Sequence, residues 1–246
     1  MMGAHQPNFL PYLGFFAKMR DSDIFVIRDE VLFVERDYHH RNRIRIAGVD
    51  CDGNPQWKWL TIPVEKRDAY LGEICIKTGS RVKNIPWNIH MLRQIRSSYE
   101  TAPYFADHFP RLEEILSSGD ELLIDLNMRI IAFLRDAFGL STEVVRASAL
   151  SGYEKSGDAS TDLARISQAT KAAVYLSGGG GRNYLNLIPF TQAGIEVAFQ
   201  EFHHPTYAQC YLGFVPNLAS IDALFNAGPG ILAFSEGINA VRQEGG

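Results

Sequence analysis

The first thirty residues constrain the fold more than any other part of the chain. A short apolar lead-in is followed by the polar stretch HQPN, by the run LGFFAKM and by the β-branched run DIFVI. The apolar spacing of the first run predicts a helix, and the second run is typical of a buried strand. Strand, loop, helix and strand in so few residues predict a βαβ unit, and therefore a parallel pair of strands.

The middle of the chain changes from strand to helical patterns. Two β-rich runs, VLFVERDYHHRNRIRI and WKWLTIPV, flank the turn-forming DCDGNP and predict a β-hairpin. Apolar residues then recur at spacings of three and four over residues 87–99, 105–116 and 120–138, which predicts three helices. The middle of the chain is therefore expected to be helical.

The last third returns to the alternation of strands and helices. TEVVRAS, AVYLS and GIEVAFQEF indicate strands, DLARISQATKA indicates a helix, and SIDALFN indicates a short helix near the end. We therefore predict one α/β domain over residues 1–246. It has a Rossmann-like, mostly parallel sheet, a β-hairpin and a central helical insertion at about 86–140.

Composition excludes several classes of protein. Hydrophobic residues make up 46% of the chain and aromatic residues 11%, which is typical of a folded globular protein. The net charge of -4 gives no electrostatic footprint for duplex DNA. No apolar run approaches the roughly 18 to 20 residues of a membrane span, and no signal segment is visible. We expect a cytoplasmic protein without a membrane partner, and its oligomeric state stays open.

Neither a disulfide framework nor a metal site is indicated. The three cysteines, Cys51, Cys75 and Cys210, are widely spaced and form no CxxC pair. Cys210 is the only one near other polar residues, so it is the candidate for a catalytic thiol. The chain has no HExxH or comparable spacing. We therefore predict no metal site and an activity that survives chelation.

The loop after the first strand is the first candidate site. His5, Gln6 and Asn8 lie there, and Pro7 and Pro11 fix φ and stiffen the loop. Ligands of open parallel sheets bind beyond the carboxyl ends of the strands, so these polar side chains are expected to face a ligand. The alternative is a rigid turn whose polar groups only cap the following helix.

A glycine loop at residues 177–185, SGGGGRNYL, follows another predicted strand. Its backbone amides, including those of Gly178 and Gly179, would be available to an anion, and Arg182 and Tyr184 would add side-chain donors. The loop matches neither the GxGxxG nor the GxxxxGK pattern, so no phosphate-bearing cofactor is identified. A close-packed turn is the structural alternative.

The stretch DYHHRNRIRI predicts a charged strand face. His39, Arg41, Arg43 and Arg45 occupy every second position, and Asn42 lies on the opposite face. The arginines would bind a phosphate or carboxylate, and an RNA contact is also compatible with them. The alternative is a solvated face without a ligand.

Residues 201–209 form the last candidate cluster, since Glu201, His204, Tyr207 and Gln209 all follow a predicted strand. A histidine near a carboxylate is suited to general-base catalysis. Because parallel strands end at the same sheet edge, we predict that residues 5–8 and 201–209 form opposite walls of one cleft. His5 or Gln6 is expected within hydrogen-bonding or one-water reach of His204, Tyr207 or Gln209.

Taken in order, several segments resemble the WbqC-like family. They are HQPNFLPYLGFF, DIFVIRDEV, HRNRIRI, LTIPV, SYETAPYF, AVYLSGGGGRNYL and HHPTYAQCYLGFVPNLASIDALFNAGP. The resemblance implies a bacterial protein of polysaccharide or O-antigen biosynthesis, and a transfer of glycine onto an amino sugar has been suggested for the family. The motif positions carried over are His5, Gln6, Pro7, Asn8, Pro11, Asp29, Asn42, Arg43, Tyr99, Gly178, Tyr184, His204, Tyr207, Gln209 and Asp222.

The resulting hypothesis is a transferase that attaches an aminoacyl or other acyl group to an amino sugar or small amine. His5 or His204 is the predicted base, Gln6, Asn8 and Gln209 are orienting donors, and Arg43 binds the phosphate or carboxylate of the donor. The donor stays open among an aminoacyl-tRNA, a carrier-protein thioester and an adenylate. The rival hypothesis is a non-catalytic protein that binds a sugar nucleotide or a carrier.

Overall fold

The computed structural model describes residues 1–65 and 68–234. Its strands are β1 (Met2–His5), β2 (Ile24–Ile27), β3 (Arg41–Val49), β4 (Pro55–Thr61), β5 (Arg81–Val82), β6 (Ile85–Pro86), β7 (Glu143–Arg146), β8 (Val174–Ser177) and β9 (Glu196–Phe199). Its α-helices are α1 (Leu13–Arg20), α2 (Trp87–Tyr99), α3 (Phe105–Leu116), α4 (Leu123–Ala137), α5 (Ala159–Ala169), α6 (Ile188–Gln192) and α7 (Ile221–Ala227).

Five strands form one parallel sheet in the order β7-β2-β1-β8-β9. Counted along the chain, this order is 3-2-1-4-5, which is the Rossmann-like arrangement. The direction in which strands are added reverses at β1, so the carboxyl end of β1 lies beside the topological switch point. The predicted α/β fold with a Rossmann-like sheet is confirmed.

Each face of the sheet is covered by its own apolar core, because side chains alternate along the strands. On β2, Phe25 and Ile27 pack into the larger core with the rings of Phe15 and Phe16. Val26 points the other way, into a smaller core formed largely with α5 and α6. The sheet is thus buried on both faces, and its carboxyl edge is left for polar loops.

The central helices and the hairpin also confirm the prediction. α2 and α3 have the predicted bounds, and α4 is shorter by a few residues than the predicted 120–138. β3 and β4 pair antiparallel as the hairpin. Two short features, the β5–β6 pair and α6, were not predicted because runs of two to five residues carry no clear periodicity.

The predicted strand over VLFVERDYHHRNRIRI is wrong in its first half, because β3 begins only at Arg41. Among the described residues, 31–40 pair with no strand and form only a single bridge, between Leu32 and Tyr70. Arg36 adopts a positive φ of 68°, which turns the chain. This segment therefore bends toward the loop after β1 instead of extending the hairpin.

Within residues 1–65 and 68–234, every helix is too short or too polar to cross a membrane.

Candidate functional site

A cavity of about 330 Å³ opens at the carboxyl end of β1. A volume of this order, near the lower end of the usual range, accommodates a small molecule or one part of a larger one. Its lining combines the loop after β1 with two segments distant in the chain: His5, Gln6, Asn8, Tyr12, Asp37, Tyr38 and Asn217. The structure therefore brings together the three polar residues predicted from the first loop.

Two buried asparagines hold the loop that carries these residues. The Asn42 Nδ2 group donates to the carbonyls of Phe9 and Leu10, at 3.2 and 2.6 Å. From α4, the Asn127 Nδ2 group donates at 2.8 Å to the Pro7 carbonyl and at 2.8 Å to the His39 carbonyl. The loop is thus fixed by the hairpin on one side and by the helical insertion on the other. Asn42, predicted to bind substrate, lies under the loop as a positioning residue.

The orientation of the Gln6 amide is set by a buried histidine. The His39 Nε2–H donates to the Gln6 Oε1 atom at 2.8 Å. His39 is fully buried, and burial lowers the pKa of its imidazole. Because Oε1 accepts this hydrogen bond, the NH₂ group of Gln6 is the part left for the cavity. The predicted place of His39 on the charged strand face is wrong, since it precedes β3 and faces inward.

His5 is held as a neutral imidazole with a defined tautomer. Its Nδ1–H donates to the Gln6 carbonyl at 3.0 Å, which leaves Nε2 with a free lone pair. Burial lowers the pKa of His5 to about 4, and the nearby Lys18 ammonium lowers it further. Lys18 is itself buried and donates to the Ala4 carbonyl at 2.6 Å. At neutral pH, His5 therefore presents a proton acceptor and no charge.

Asn8 and Asp37 complete the polar lining. Asn8 is only 6% exposed, and its side-chain amide makes no hydrogen bond within the described chain. Its amide atoms are not among the fully enclosed polar atoms that lack a partner, so they reach the cavity and are open to a ligand. Among the described residues of the lining, Asp37 is the one carboxylate, and its Oδ1 accepts from the Tyr38 amide at 2.6 Å. The cavity thus offers a neutral base, amide donors and one anionic group.

Four other predicted residues form a separate buried group, the Asp222 cluster (Tyr99, Tyr207, Gln209 and Asp222). The Tyr99 hydroxyl donates to Asp222 Oδ1 at 2.9 Å, and Tyr207 and Gln209 each donate to Oδ2 at 2.7 Å. Burial raises the pKa of the Asp222 carboxyl, and these hydrogen bonds oppose that rise. The cluster ties α2 and α7 to the segment before α7, and its oxygens already have partners.

The prediction that residues 201–209 face residues 5–8 across one cleft is wrong. Asp37, Tyr38 and Asn217 lie opposite the loop after β1. Tyr207 and Gln209 are turned away toward Asp222.

His204 packs in an aromatic group outside the cavity lining. It stacks on Tyr207 with ring centroids 6.0 Å apart, and its Nδ1–H donates to the Pro205 carbonyl. Burial lowers its pKa. Among the described residues, ring contacts run from His204 to Phe202, from Phe202 to Tyr12 and from Tyr12 to His5.

The glycine loop is a compact turn. A Cβ on Gly179 would lie 3.0 Å from the Gln200 carbonyl, and one on Gly181 would lie 2.1 Å from Ser177 Oγ, whereas Gly178 meets open space. Close packing therefore accounts for two of its glycines. The side chains beside it lie outside the cavity lining, since Arg182 pairs with Glu201 at 3.4 Å and Tyr184 is 75% exposed.

The remaining predicted residues, Asp29, Arg43 and Cys210, lie in different environments. Asp29 is buried and accepts from Arg146 Nε at 2.8 Å and from the backbone amide and hydroxyl of Ser148, so it joins β2 to the turn after β7. Arg43 lies beside the cavity, where its Nη2 donates to the Asn217 carbonyl at 3.2 Å. Burial raises the pKa of the Cys210 thiol, which disfavours the reactive thiolate.

Sequence reasoning missed half of the cavity. Asp37 and Tyr38 directly precede the histidine and arginine stretch that was singled out, and Asn217 lies in the VPNLAS segment. Asn127 is polar on an otherwise apolar helix face, which was the available signal for it. Across residues 1–65 and 68–234, no group of three His, Cys, Asp or Glu side chains is placed to hold a metal ion.

The fold and the cavity together describe an α/β protein with Rossmann-like strand order and a polar cavity at the carboxyl end of its first strand. The chain belongs to the WbqC-like protein family, whose model matches residues 6–233. It is similar to the uncharacterized protein Rv1507c of Mycobacterium tuberculosis, with 27% identity over 225 residues covering 91% of this chain and 92% of the relative. No solved structure matches it significantly.

Proposed function

We propose that the protein transfers an aminoacyl or other acyl group to the amine of an amino sugar or a similar small molecule. The observation that carries this proposal is the combination in one cavity of the neutral His5 imidazole, the Asn8 amide without a partner and the Asp37 carboxylate. All three kinds of group are suited to an amine acceptor. A carboxylate binds its ammonium form, a base takes a proton, and amides bind the oxygen of the acyl group.

In the proposed reaction, the bound ammonium first loses a proton to solvent, and the neutral amine nitrogen then attacks the acyl carbon to form a C–N bond. The bond between that carbon and the oxygen or sulfur of the donor breaks. The proton released by the nitrogen passes to His5 Nε2 and then to the leaving group. A base of low pKa suffices, because the nitrogen proton becomes acidic once the C–N bond has formed.

Two amides are suited to the developing oxyanion. The Gln6 NH₂ group is available because its Oε1 accepts from His39. The Asn8 amide has no competing partner in the described residues. Donors fixed before the reaction stabilise a developing charge more than mobile ones do, and Asn42 and Asn127 fix the loop that carries both.

The test is a transfer assay with three donor classes: an aminoacyl-tRNA, a carrier-protein thioester and an aminoacyl adenylate, each with an amino sugar. Mass spectrometry of the acceptor detects the amide product. His5→Gln is expected to lower the rate by about 10²-fold or more, the range for general-base removal. The matched control is His203→Gln, at an exposed histidine outside the cavity.

A rate unchanged in His5→Gln would refute the assigned role of His5. Binding of the amino sugar without product from any donor class would favour the rival hypothesis of a non-catalytic binding protein.

A further inference from the structure

The outer face of the hairpin beside the cavity carries two half-buried arginines that pack against the rings of one exposed and one half-buried tryptophan. We call it the Arg–Trp face and define it as Arg41, Arg43, Trp57 and Trp59. The register of β3 and β4 places Arg43 directly opposite Trp59. The guanidinium of Arg41 lies 4.1 Å from the Trp59 ring centroid, and that of Arg43 lies 4.9 Å from the Trp57 centroid. Such distances are those of cation–π contacts.

The arginines of this face are not neutralised by a carboxylate in the described chain, which is also true of Arg45 and Arg165. By contrast, Arg28, Arg146 and Arg182 each lie within 4.0 Å of a carboxylate. Arg41 and Arg43 have no carboxylate partner among the described residues, and donate only to the backbone carbonyls of Arg36 and Asn217. Their positive charges are therefore available to an anion.

The face is continuous with the cavity at two points. Tyr38 lines the cavity, and its ring centroid is 5.7 Å from that of Trp59. Asn217 also lines the cavity, and its carbonyl accepts from Arg43. A ligand lying across Arg43 would thus have its other end at the cavity entrance. Trp57, which is 40% exposed, lies on the side away from the cavity.

We propose that the Arg–Trp face binds the nucleoside diphosphate part of a nucleotide-linked substrate whose other end enters the cavity. The phosphates lie against the guanidiniums of Arg41 and Arg43, and the base stacks on Trp57. Arginine matches phosphate oxygens with paired donors, and indole rings stack on any base. The inference rests on the proposed function, because it names the class of substrate that is delivered to the same cavity.

The experiment is a binding measurement without turnover. UDP, ADP, uridine and inorganic pyrophosphate are each titrated into the full chain by calorimetry, with tryptophan fluorescence as a second readout. The chain has three tryptophans, and Trp87 is buried in α2. A change in tryptophan fluorescence on adding nucleotide therefore reports mainly on Trp57 and Trp59. We expect UDP or ADP to bind, with uridine and pyrophosphate each at least tenfold weaker.

Variants assign the site. Trp57→Ala is expected to weaken nucleotide binding roughly five- to hundredfold, as for loss of a stacked base, while Trp57→Phe retains most of it. Arg43→Gln should weaken binding roughly tenfold or more, with Arg43→Lys intermediate. Arg165→Gln, at an exposed arginine on α5, is the control and should stay within twofold. Thermal unfolding of every variant confirms that it is folded.

Three results would overturn the proposal. They are no binding of UDP or ADP at millimolar concentration, pyrophosphate binding as tight as that of UDP, and a short RNA ending in CCA binding more than tenfold tighter than ADP. The last result would assign the face to RNA. Failure here is distinguishable from failure of the transferase, because nucleotide binding needs no acyl donor. Conversely, Arg43-dependent nucleotide binding without any transfer would support this inference and refute the proposed function.

Discussion

The cavity and the Asp222 cluster are built from the same kinds of residue, but their hydrogen bonding differs. In the Asp222 cluster a buried carboxylate receives three side-chain hydrogen bonds. In the cavity, Asn8 is nearly as buried and has no partner in the described chain, and His5 keeps a free Nε2. Saturated polar groups stabilise a fold, whereas polar groups that reach a cavity and have no protein partner are suited to a ligand. The difference separates residues that sequence reasoning had placed in one site.

The largest effect is expected for Asp222→Ala. The substitution leaves the hydroxyls of Tyr99 and Tyr207 without an acceptor, at about 1–3 kcal/mol for each, and it removes one of the two acceptors of the Gln209 amide. We expect the free energy of unfolding to fall by about 4 kcal/mol in urea titrations. Glu196→Ala, at an exposed residue of β9, is the control. A loss below about 1 kcal/mol would show that the cluster is not a stabilising element.

The pH dependence of the free energy of unfolding should report on the buried, neutral state of His5. Because the pKa of His5 falls from 6.5 to about 4 on folding, the unfolded chain takes up the proton first as the pH drops. The contribution of His5 is therefore fully present above pH 6.5 and is lost as the pH falls toward about 4. It amounts to about 3 kcal/mol.

Denaturant titrations at several pH values test this contribution. His5→Gln should show a shallower loss of unfolding free energy than the wild type over that interval. His203→Gln should parallel the wild type, since its side chain is exposed. Equal slopes for His5→Gln and the wild type would mean that His5 ionises freely in the folded protein.

Asn127→Ala should have an intermediate effect, because it affects both the stability of the fold and the position of the loop after β1. It removes the donors to the Pro7 and His39 carbonyls and should cost about 2 kcal/mol. It should also raise amide hydrogen exchange in residues 5–12. Unchanged exchange in this loop alongside the stability loss would limit Asn127 to a role in the helix core.

The smallest effect on stability, within about 0.5 kcal/mol, is expected for Asn8→Ala, because no protein hydrogen bond is lost. Its transfer rate or its affinity for the amino sugar should nevertheless fall about tenfold or more. Calorimetry and the transfer assay measure these quantities. A large loss of stability with unchanged ligand affinity would place Asn8 with the Asp222 cluster.

The sequence predicted the elements of the fold because their signals are local. Apolar spacing located α2 and α3, and β-branched runs located the sheet strands. The loop after β1 was located because it follows a strand in a parallel sheet. The chemistry of His5, Gln6 and Asn8 was therefore accessible from a single sequence.

The rest of the cavity could not be predicted, because it depends on how distant segments meet. Asp37 and Tyr38 lie in a segment that β-propensity predicted as strand and that pairs with no strand of the described chain. The separation of Tyr207 and Gln209 from His5 follows from their hydrogen bonds to Asp222, and no pattern in the sequence encodes that pairing.

The contact from Asn127 on α4 to the loop after β1 bears on how this scaffold can be engineered. The helical insertion lies outside the five-stranded sheet, so a shortened protein that keeps the β3–β4 hairpin and omits α2, α3 and α4 is an attractive design. Such a deletion would also remove the amide that holds the Pro7 and His39 carbonyls. A shortened version would therefore need a new hydrogen-bond donor to these two carbonyls, because the sheet alone does not fix the conformation of the loop after β1.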